Sequence, residues 1–170
     1  MRAGRRLAVA GAVILLLVAG GWYGWQLGPW GDQGGSYAEI IEFATLEREP
    51  APHQFLIAPA GATPKAEPDA ESPAFAVPPE RLRDAFLAVI AEQPRTHVLA
   101  RSADGLRFTV VQRSLVMRFP DYVGVGILPA GEEGSTLAVY SRSRFGYSDM
   151  GVNRARVESW IDALRRKVAA

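Results

Sequence analysis

The chain has 170 residues, with 19 lysines and arginines, 18 acidic residues and 48% hydrophobic residues. This length accommodates one domain plus appendages, and the lack of cysteine excludes disulfides, thiol nucleophiles, thiolate metal sites and lipidated cysteine anchors. Residues 1–25 carry three arginines and no acidic residue. Residues 26–78 carry two basic and eight acidic residues, and residues 79–170 carry fourteen basic and ten acidic residues. The excess of basic residues in 79–170 is small and is mixed with acidic residues, which argues against nucleic-acid binding.

Residues 7–25 form an uncharged apolar run of 19 residues (LAVAGAVILLLVAGGWYGW), which as a helix just crosses a hydrocarbon core of about 30 Å. The arginines before it predict a cytoplasmic N-terminus. Four aromatic residues typical of an interfacial belt end or follow it: Trp22, Tyr23, Trp25 and Trp30. We therefore predict that residues 1–27 are a basic tip and a single-pass anchor in the inner (cytoplasmic) membrane, followed by an extracytoplasmic, periplasmic chain. The alternative is a cleaved signal peptide, because the small residues Ala19–Gly21 suit a peptidase; in both cases the remaining chain crosses the membrane.

Residues 28–72 are rich in Gly, Pro, Ala and acids, which predicts an extended spacer. Two apolar islands interrupt it. Tyr37–Phe43 predicts a short helix and Phe55–Ile57 a strand-like patch, and we expect them to dock on the domain if they form, because short isolated helices are marginal in water. His53, beside the second island, is interpreted as a surface residue rather than a ligand.

Residues 73–170 show the periodicities of a folded domain. Helical spacing predicts one helix from Pro79 to about Gln93 and another over residues 153–168. Four segments between them predict antiparallel strands, with residues 74–77 as an optional leading strand: residues 96–101, 106–114, 122–128 and 136–143. This order predicts an α+β domain in which a four- or five-stranded antiparallel sheet has two helices packed on one face.

Alternation along the predicted strands divides their side chains between two faces. Eight apolar side chains point toward the helices: Leu106, Phe108, Val110, Val123, Val125, Ile127, Leu137 and Val139. The opposite face carries Arg107, Arg113, Tyr140 and Arg142 around a floor of small residues, Gly124 and Gly126. Two interpretations fit that face: an ordinary solvated surface, or a shallow anion-binding surface, because arginine forks bind carboxylate and phosphate bidentately.

The stretch Ser141–Asn153 (SRSRFGYSDMGVN) joins the last predicted strand to the last predicted helix. Three of its residues are competent helix N-caps, which indicates a capped corner with arginine–aspartate pairs. The alternative is an anion site where arginines meet the N–H groups of a helix N-terminus. The candidate ligand-binding residues are Arg113, Arg142, Arg144, Ser148, Asp149 and Asn153. The candidate caps or salt-bridge residues are Asp121, Asp149 and Asn153.

Three motifs carry a family resemblance: VQRS ending at Ser114, FPD ending at Asp121, and above all SRSRFGYSDMGVN ending at Asn153. Through these motifs, residues 73–168 resemble the bacterial and plastid family known as domain of unknown function 1499. Many members have a Pro-Asn-Cys segment upstream, where this chain has Pro52–Phe55 (PHQF). Any role of that cysteine therefore does not carry over, and the resemblance implies a domain but no activity.

Neither a catalytic site nor a metal site is predicted. The two histidines, His53 and His97, have no nucleophile elbow and no partner at ligand spacing. Phosphate loops and dinucleotide fingerprints do not occur either, so no cofactor is expected. The leading hypothesis is a membrane-anchored extracytoplasmic binding or accessory domain for an anionic ligand or lipid headgroup. The alternatives are a protein-interaction module of an envelope complex and a carboxylate-based enzyme that uses Asp121 and Asp149.

Overall fold

The computed structural model describes residues 13–18, 20–21 and 35–169. Residues 35–169 belong to one compact unit, and the described residues before it are helical. Within these ranges, no helix is both long enough and apolar enough to cross a membrane. The predicted anchor lies mostly outside the described residues, and its four flanking aromatic residues lie entirely outside them.

One six-stranded sheet forms the centre of the domain, in the spatial order β2-β1-β6-β5-β4-β3. Its strands are β1 (Gln54–Ala58), β2 (Ala70–Glu71), β3 (Thr96–Arg101), β4 (Arg107–Arg113), β5 (Pro120–Ala130) and β6 (Gly134–Ser143). Neighbouring strands are antiparallel except β1 and β2, which are parallel. The domain is α+β, as predicted, but its sheet is mixed and has six strands instead of four or five.

The two additional strands come from the predicted spacer, so the fold does not begin at residue 73, where the predicted domain starts. The strand-like patch is β1, which pairs with β6 and is buried from Phe55 to Ala58. A strand buried on both faces shows no polar–apolar alternation, and therefore this one gave only a weak signal within a Pro- and Gly-rich segment. The optional leading strand is a single β-bridge between Phe75 and Ser135.

Two helices, α1 (Pro79–Ala91) and α2 (Val152–Ala169), pack on one face of the sheet. Pro79 stands in the first turn of α1, where its missing N–H costs no hydrogen bond. The Phe86 ring of α1 lies 6.0 Å from Phe108 and 6.1 Å from Trp160 between ring centroids. All eight predicted core side chains lie in or against this cluster, which confirms the predicted core face.

The other face of the sheet is covered by residues 35–49, which we call the strap. Two short 3-10 helices, Gly35–Ala38 and Phe43–Thr45, replace the helix predicted over Tyr37–Phe43. A second apolar cluster forms between the strap, the segment after β1 and the sheet: Phe43, Leu46, Leu56, Ala58, Ala66, Ala138 and Tyr140. The face that we expected to be solvated or open to anions is therefore largely a second core.

Gly124 and Gly126 provide the space for the strap. A Cβ atom at Gly124 would lie 2.8 Å from Ile41 Cγ1, and one at Gly126 would lie 3.0 Å from the Phe43 ring. The small-residue floor is thus the seat of two strap side chains rather than a ligand surface. The strap also pairs with the arginines of this face, because Glu42 forms a salt bridge with Arg107.

Candidate functional site

The loop between β6 and α2 ends in a capped helix N-terminus. Asp149 accepts hydrogen bonds from the backbone N–H groups of Gly151 (3.1 Å, Oδ1) and Asn153 (2.9 Å, Oδ2). Gly151, with a φ of 81°, allows the turn that brings these groups together. Partial burial by itself raises the pKa of Asp149, but the hydrogen bonds from Asn153 and Gly151 outweigh it and leave the pKa below its usual value. The carboxylate is therefore held in its charged, capping form.

Asn153 is fully buried and links α2 to two other parts of the fold. Its Oδ1 accepts a hydrogen bond from Ser141 Oγ of β6 at 2.6 Å. Its Nδ2 donates to the carbonyl of His53 and to Ser143 Oγ, both at 3.0 Å, and also lies 2.7 Å from Asp149 Oδ2. Both ends of the amide are satisfied within the protein, so Asn153 fixes the corner.

Arg156 supplies the positive charge of this network, and the sequence patterns did not identify it. Its guanidinium donates from Nε to Gln112 (2.6 Å), from Nη1 to Asn153 (2.6 Å), and from Nη2 to Asp121, with which it forms a salt bridge. The sequence did contain a signal for this role. Arg156 lies three residues after Asn153 and four before Trp160, and this helical spacing places it on the buried face of α2. A charged residue on such a face indicates a buried partner.

This network uses both carboxylates that a carboxylate-based enzyme would need. Asp121 pairs with Arg156 and its side chain is 13% exposed, while Asp149 caps α2. A cleft of 420 Å³ beside the corner is lined by Asp149 together with Asp69, and Asp69 pairs with Arg48 at 3.1 Å. The geometry stabilises the start of α2 and does not bring Asp121 and Asp149 together in one cleft.

Arg142 and Arg144 lie on the strap side, away from the cap. Their guanidinium carbons are 4.3 and 5.8 Å from the ring centroid of Tyr37. Arg142 also lies 3.7 Å from a carboxylate oxygen of Glu49. Two arginines therefore share one aromatic ring.

The six candidate ligand-binding residues consequently do not form a single site. Two pairs stay together, Asp149 with Asn153 in the cap, and Arg142 with Arg144 beside the strap. Exposed Ser148 precedes Asp149 in the chain and lines the same cleft as that carboxylate, whereas Arg113 lies at the end of β4.

Two neighbouring loops at one end of the sheet expose apolar side chains. They are the β4–β5 loop (residues 114–119) and the β6–α2 loop (residues 144–151). The Arg144 N–H donates to the Pro120 carbonyl at 3.4 Å, and the Phe119 and Phe145 rings are 6.0 Å apart. We define the apolar loop tips as the exposed side chains Leu115 (71%), Val116 (61%), Met117 (43%), Tyr147 (90%) and Met150 (95%). No periodic pattern marks them, because loop exposure follows from tertiary structure.

Comparison with known proteins identifies the family and nothing further about activity. No curated protein sequence matches the chain significantly. The crystal structure of TTHA0849 from Thermus thermophilus is similar at 16% identity over 57% of this chain and 90% of that one, with a TM-score of 0.30, which is too low to carry an argument. Residues 46–164 match the family described as protein of unknown function (DUF1499), a range that includes β1 and β2 as well as the capped corner. The resemblance seen in the three motifs is confirmed, and the chain belongs to the DUF1499 family.

Proposed function

We propose that this protein is a membrane-anchored extracytoplasmic domain that binds a bilayer surface containing anionic lipid through its apolar loop tips. The observation that carries the proposal is the concentration of exposed apolar side chains on two adjacent loops at one end of the sheet. Contiguous exposed apolar surface on a soluble fold is typical of protein or membrane contact sites.

The chemistry of the tips favours a membrane interface. Leu115, Val116 and Met117 are consecutive, so one loop presents a continuous apolar edge. Tyr147 is amphipathic, and such side chains are enriched where hydrocarbon meets headgroups. Binding of this kind grows with the apolar area inserted and with attraction to anionic lipid.

Arginines at the same end supply that attraction. Arg95 Nε donates to the Arg113 carbonyl at 3.0 Å, and Arg113 Nη1 donates to the Arg118 carbonyl at 3.1 Å. These contacts hold several positive charges close to the loops. Each arginine near an anionic membrane surface contributes about 1 kcal/mol.

The first strap residues lie at the same end of the sheet as the apolar loop tips. Tyr37, close to the start of the described domain, lies against Arg142 and Arg144 at the loop end of the sheet. The described part of the domain therefore begins beside its loop tips.

Flotation of the fragment 34–170 with lipid vesicles tests the proposal. This fragment keeps the strap and β1, which one starting at residue 73 would lose. We expect it to float with vesicles containing anionic lipid, and less so at high salt, because exposed charges are screened. Replacing Leu115, Val116 and Met117 together by serine should weaken binding about tenfold or more, because inserted apolar area is lost.

A matched pair of arginine variants gives the control. Arg118→Glu reverses a charge in the β4–β5 loop, whereas Arg101→Glu reverses one at the far end of β3. Only Arg118→Glu should weaken flotation. Equal binding to neutral and anionic vesicles, or no effect of the triple serine variant, would overturn the proposal.

A further inference from the structure

Two buried polar atoms under the strap have no hydrogen-bond partner in the described part of the chain, the Tyr122 hydroxyl and Arg142 Nε. The two residues are direct partners in the β5–β6 register and project from the same face of the sheet. Tyr122 is 1% exposed. Buried polar groups are nearly always paired, and both of these can donate, so together they suit an acceptor that carries negative charge.

The strap residue Tyr37 packs against both side chains, and Glu49 lies next to Arg142. The Tyr37 ring lies 5.5 Å from the Tyr122 ring and 4.3 Å from the Arg142 guanidinium carbon. The Tyr37 hydroxyl lies 3.2 Å from each carboxylate oxygen of Glu49. Tyr37 and Glu49 are thus bonded to each other next to the side chains that carry the unpaired donors.

Glu49 is a poor partner for Arg142. Its carboxylate approaches Arg142 Nη1 at 3.7 Å, whereas well-formed arginine–carboxylate bonds are about 2.7–2.9 Å long and often bidentate. The Glu49 side chain is 48% exposed. A better-placed anion could therefore replace it at small cost.

The strap is held more weakly at Tyr37 than farther along the chain. The turn Gly35–Ala38 contains no buried residue, whereas the next turn is fixed by buried Phe43. Segments with few buried contacts open locally at low free energy. Opening the strap at Tyr37 therefore exposes less buried apolar surface than opening it at Phe43 or Leu46, which belong to the second apolar cluster.

We propose that Tyr37 and Glu49 cover an anion site, and that a phosphate group displaces them to bind the Arg142 guanidinium and the Tyr122 hydroxyl. Planar guanidinium forks bind phosphate bidentately, and the phenol supplies a further donor. The proposed function supplies the source of the phosphate, a phospholipid headgroup, but the site itself does not depend on that function.

Titration of fragment 34–170 with inorganic phosphate, followed by NMR, tests the site without a membrane. Glu49→Gln removes the competing charge and should tighten phosphate binding about fivefold, the factor that corresponds to one partly exposed ion pair. Glu47→Gln is the matched control, because Glu47 also lies on the strap but pairs with Lys65. Equal phosphate affinity in the two variants would overturn the site.

Two further substitutions in the Glu49→Gln background assign the ligands. Tyr122→Phe and Arg142→Met should each abolish the fivefold gain, and thermal melting checks that both fold. Tyr122→Phe has no hydrogen bond to lose within the described residues, so its stability should not fall. A gain that persists in either double variant would overturn the assignment of that ligand.

Vesicle flotation of Glu49→Gln identifies the source of the phosphate. Tighter binding to anionic vesicles, in parallel with tighter binding of inorganic phosphate, is the expected result. Tighter phosphate binding with unchanged flotation would make free phosphate the ligand and overturn the headgroup source. Unchanged phosphate binding with normal flotation would overturn the site and leave the proposed function standing.

Discussion

Arg156 and Arg142 are both largely removed from solvent, with side chains 6% and 16% exposed, but their guanidinium groups are satisfied to different extents. Arg156 donates from all three nitrogens to Gln112, Asn153 and Asp121. Arg142 stacks on Tyr37 and retains an Nε that has no hydrogen-bond partner among the described residues. An arginine whose donors are all used holds the fold, whereas one with a donor left over keeps the capacity to bind a ligand.

The largest expected effect comes from removing Arg156. Arg156→Met leaves Asp121, which is largely removed from solvent, without its ion-pair partner and should lower the free energy of unfolding by about 3 kcal/mol. Arg142→Met is the matched control and should cost about 1 kcal/mol or less, because its ion pair with Glu49 is long and partly exposed. Urea denaturation of fragment 34–170 measures both.

A second substitution separates the loss of the ion pair from the cost of leaving the Asp121 carboxylate unpaired. Arg156→Met combined with Asp121→Asn should recover part of the loss, because much of the cost is the uncompensated carboxylate. Similar losses in Arg156→Met and Arg142→Met would contradict the distinction between the two arginines.

Gly124→Ala tests the strap side of the comparison, with a smaller expected effect. The added methyl group would lie within 3.2 Å of Ile41 Cβ as well as close to its terminal carbon, so the side chain cannot simply rotate away. We expect a loss of about 1–3 kcal/mol, typical of overpacking. Thermal or urea unfolding measures it.

Ile41→Ala provides the control for this contact. In that background Gly124→Ala should cost much less, because the colliding atoms are gone, and a double-mutant cycle gives the coupling. Additive losses would mean that Ile41 does not occupy the space above Gly124, and the strap would then not cover this face.

The helix-covered half of the fold could be predicted because its signals are local. Period-two alternation in β4 to β6 and helical spacing in α1 and α2 both point to the same core, and that core is the observed one. The same stretch of chain also suggested a capped corner, because Asp149 and Asn153 are residues that favour helix starts.

The strap could not be predicted because its signals are long-range. Tyr37 contacts Tyr122 and Arg142, which lie far from it along the sequence, and no rule of residue spacing links such distant positions. The glycines of β5 were a hint, since Gly within a strand often marks the close approach of another segment. That hint shows that something covers the face, but it does not say which segment.

The smallest expected effect concerns Asp149, which joins the Arg156 network through Asn153. Its pKa in the folded protein lies below its usual value, so the ionised carboxylate stabilises the fold above the unfolded pKa of about 3.9. That contribution is lost as the pH falls through the lowered pKa. Asp149→Asn should therefore cost about 1 kcal/mol at pH 7, as a weakened cap does, and nearly nothing once the wild-type carboxylate is protonated.

Asp162→Asn is the control, since it removes the same charge from an exposed part of α2 where Asp162 pairs with Arg165. Exposed pairs of this kind contribute little, so its cost should be small at both pH values. If the cost of Asp149→Asn stayed constant with pH, the cap would act through shape and not through charge. Neutral acceptors would then satisfy the N–H groups at the start of α2 as well as a carboxylate does. An anion from solution would therefore bind there only weakly. A cost that vanishes in acid instead means that the corner is filled by its own carboxylate, so that of Arg156 and Arg142 it is Arg142, on the strap side, that keeps a donor for a ligand.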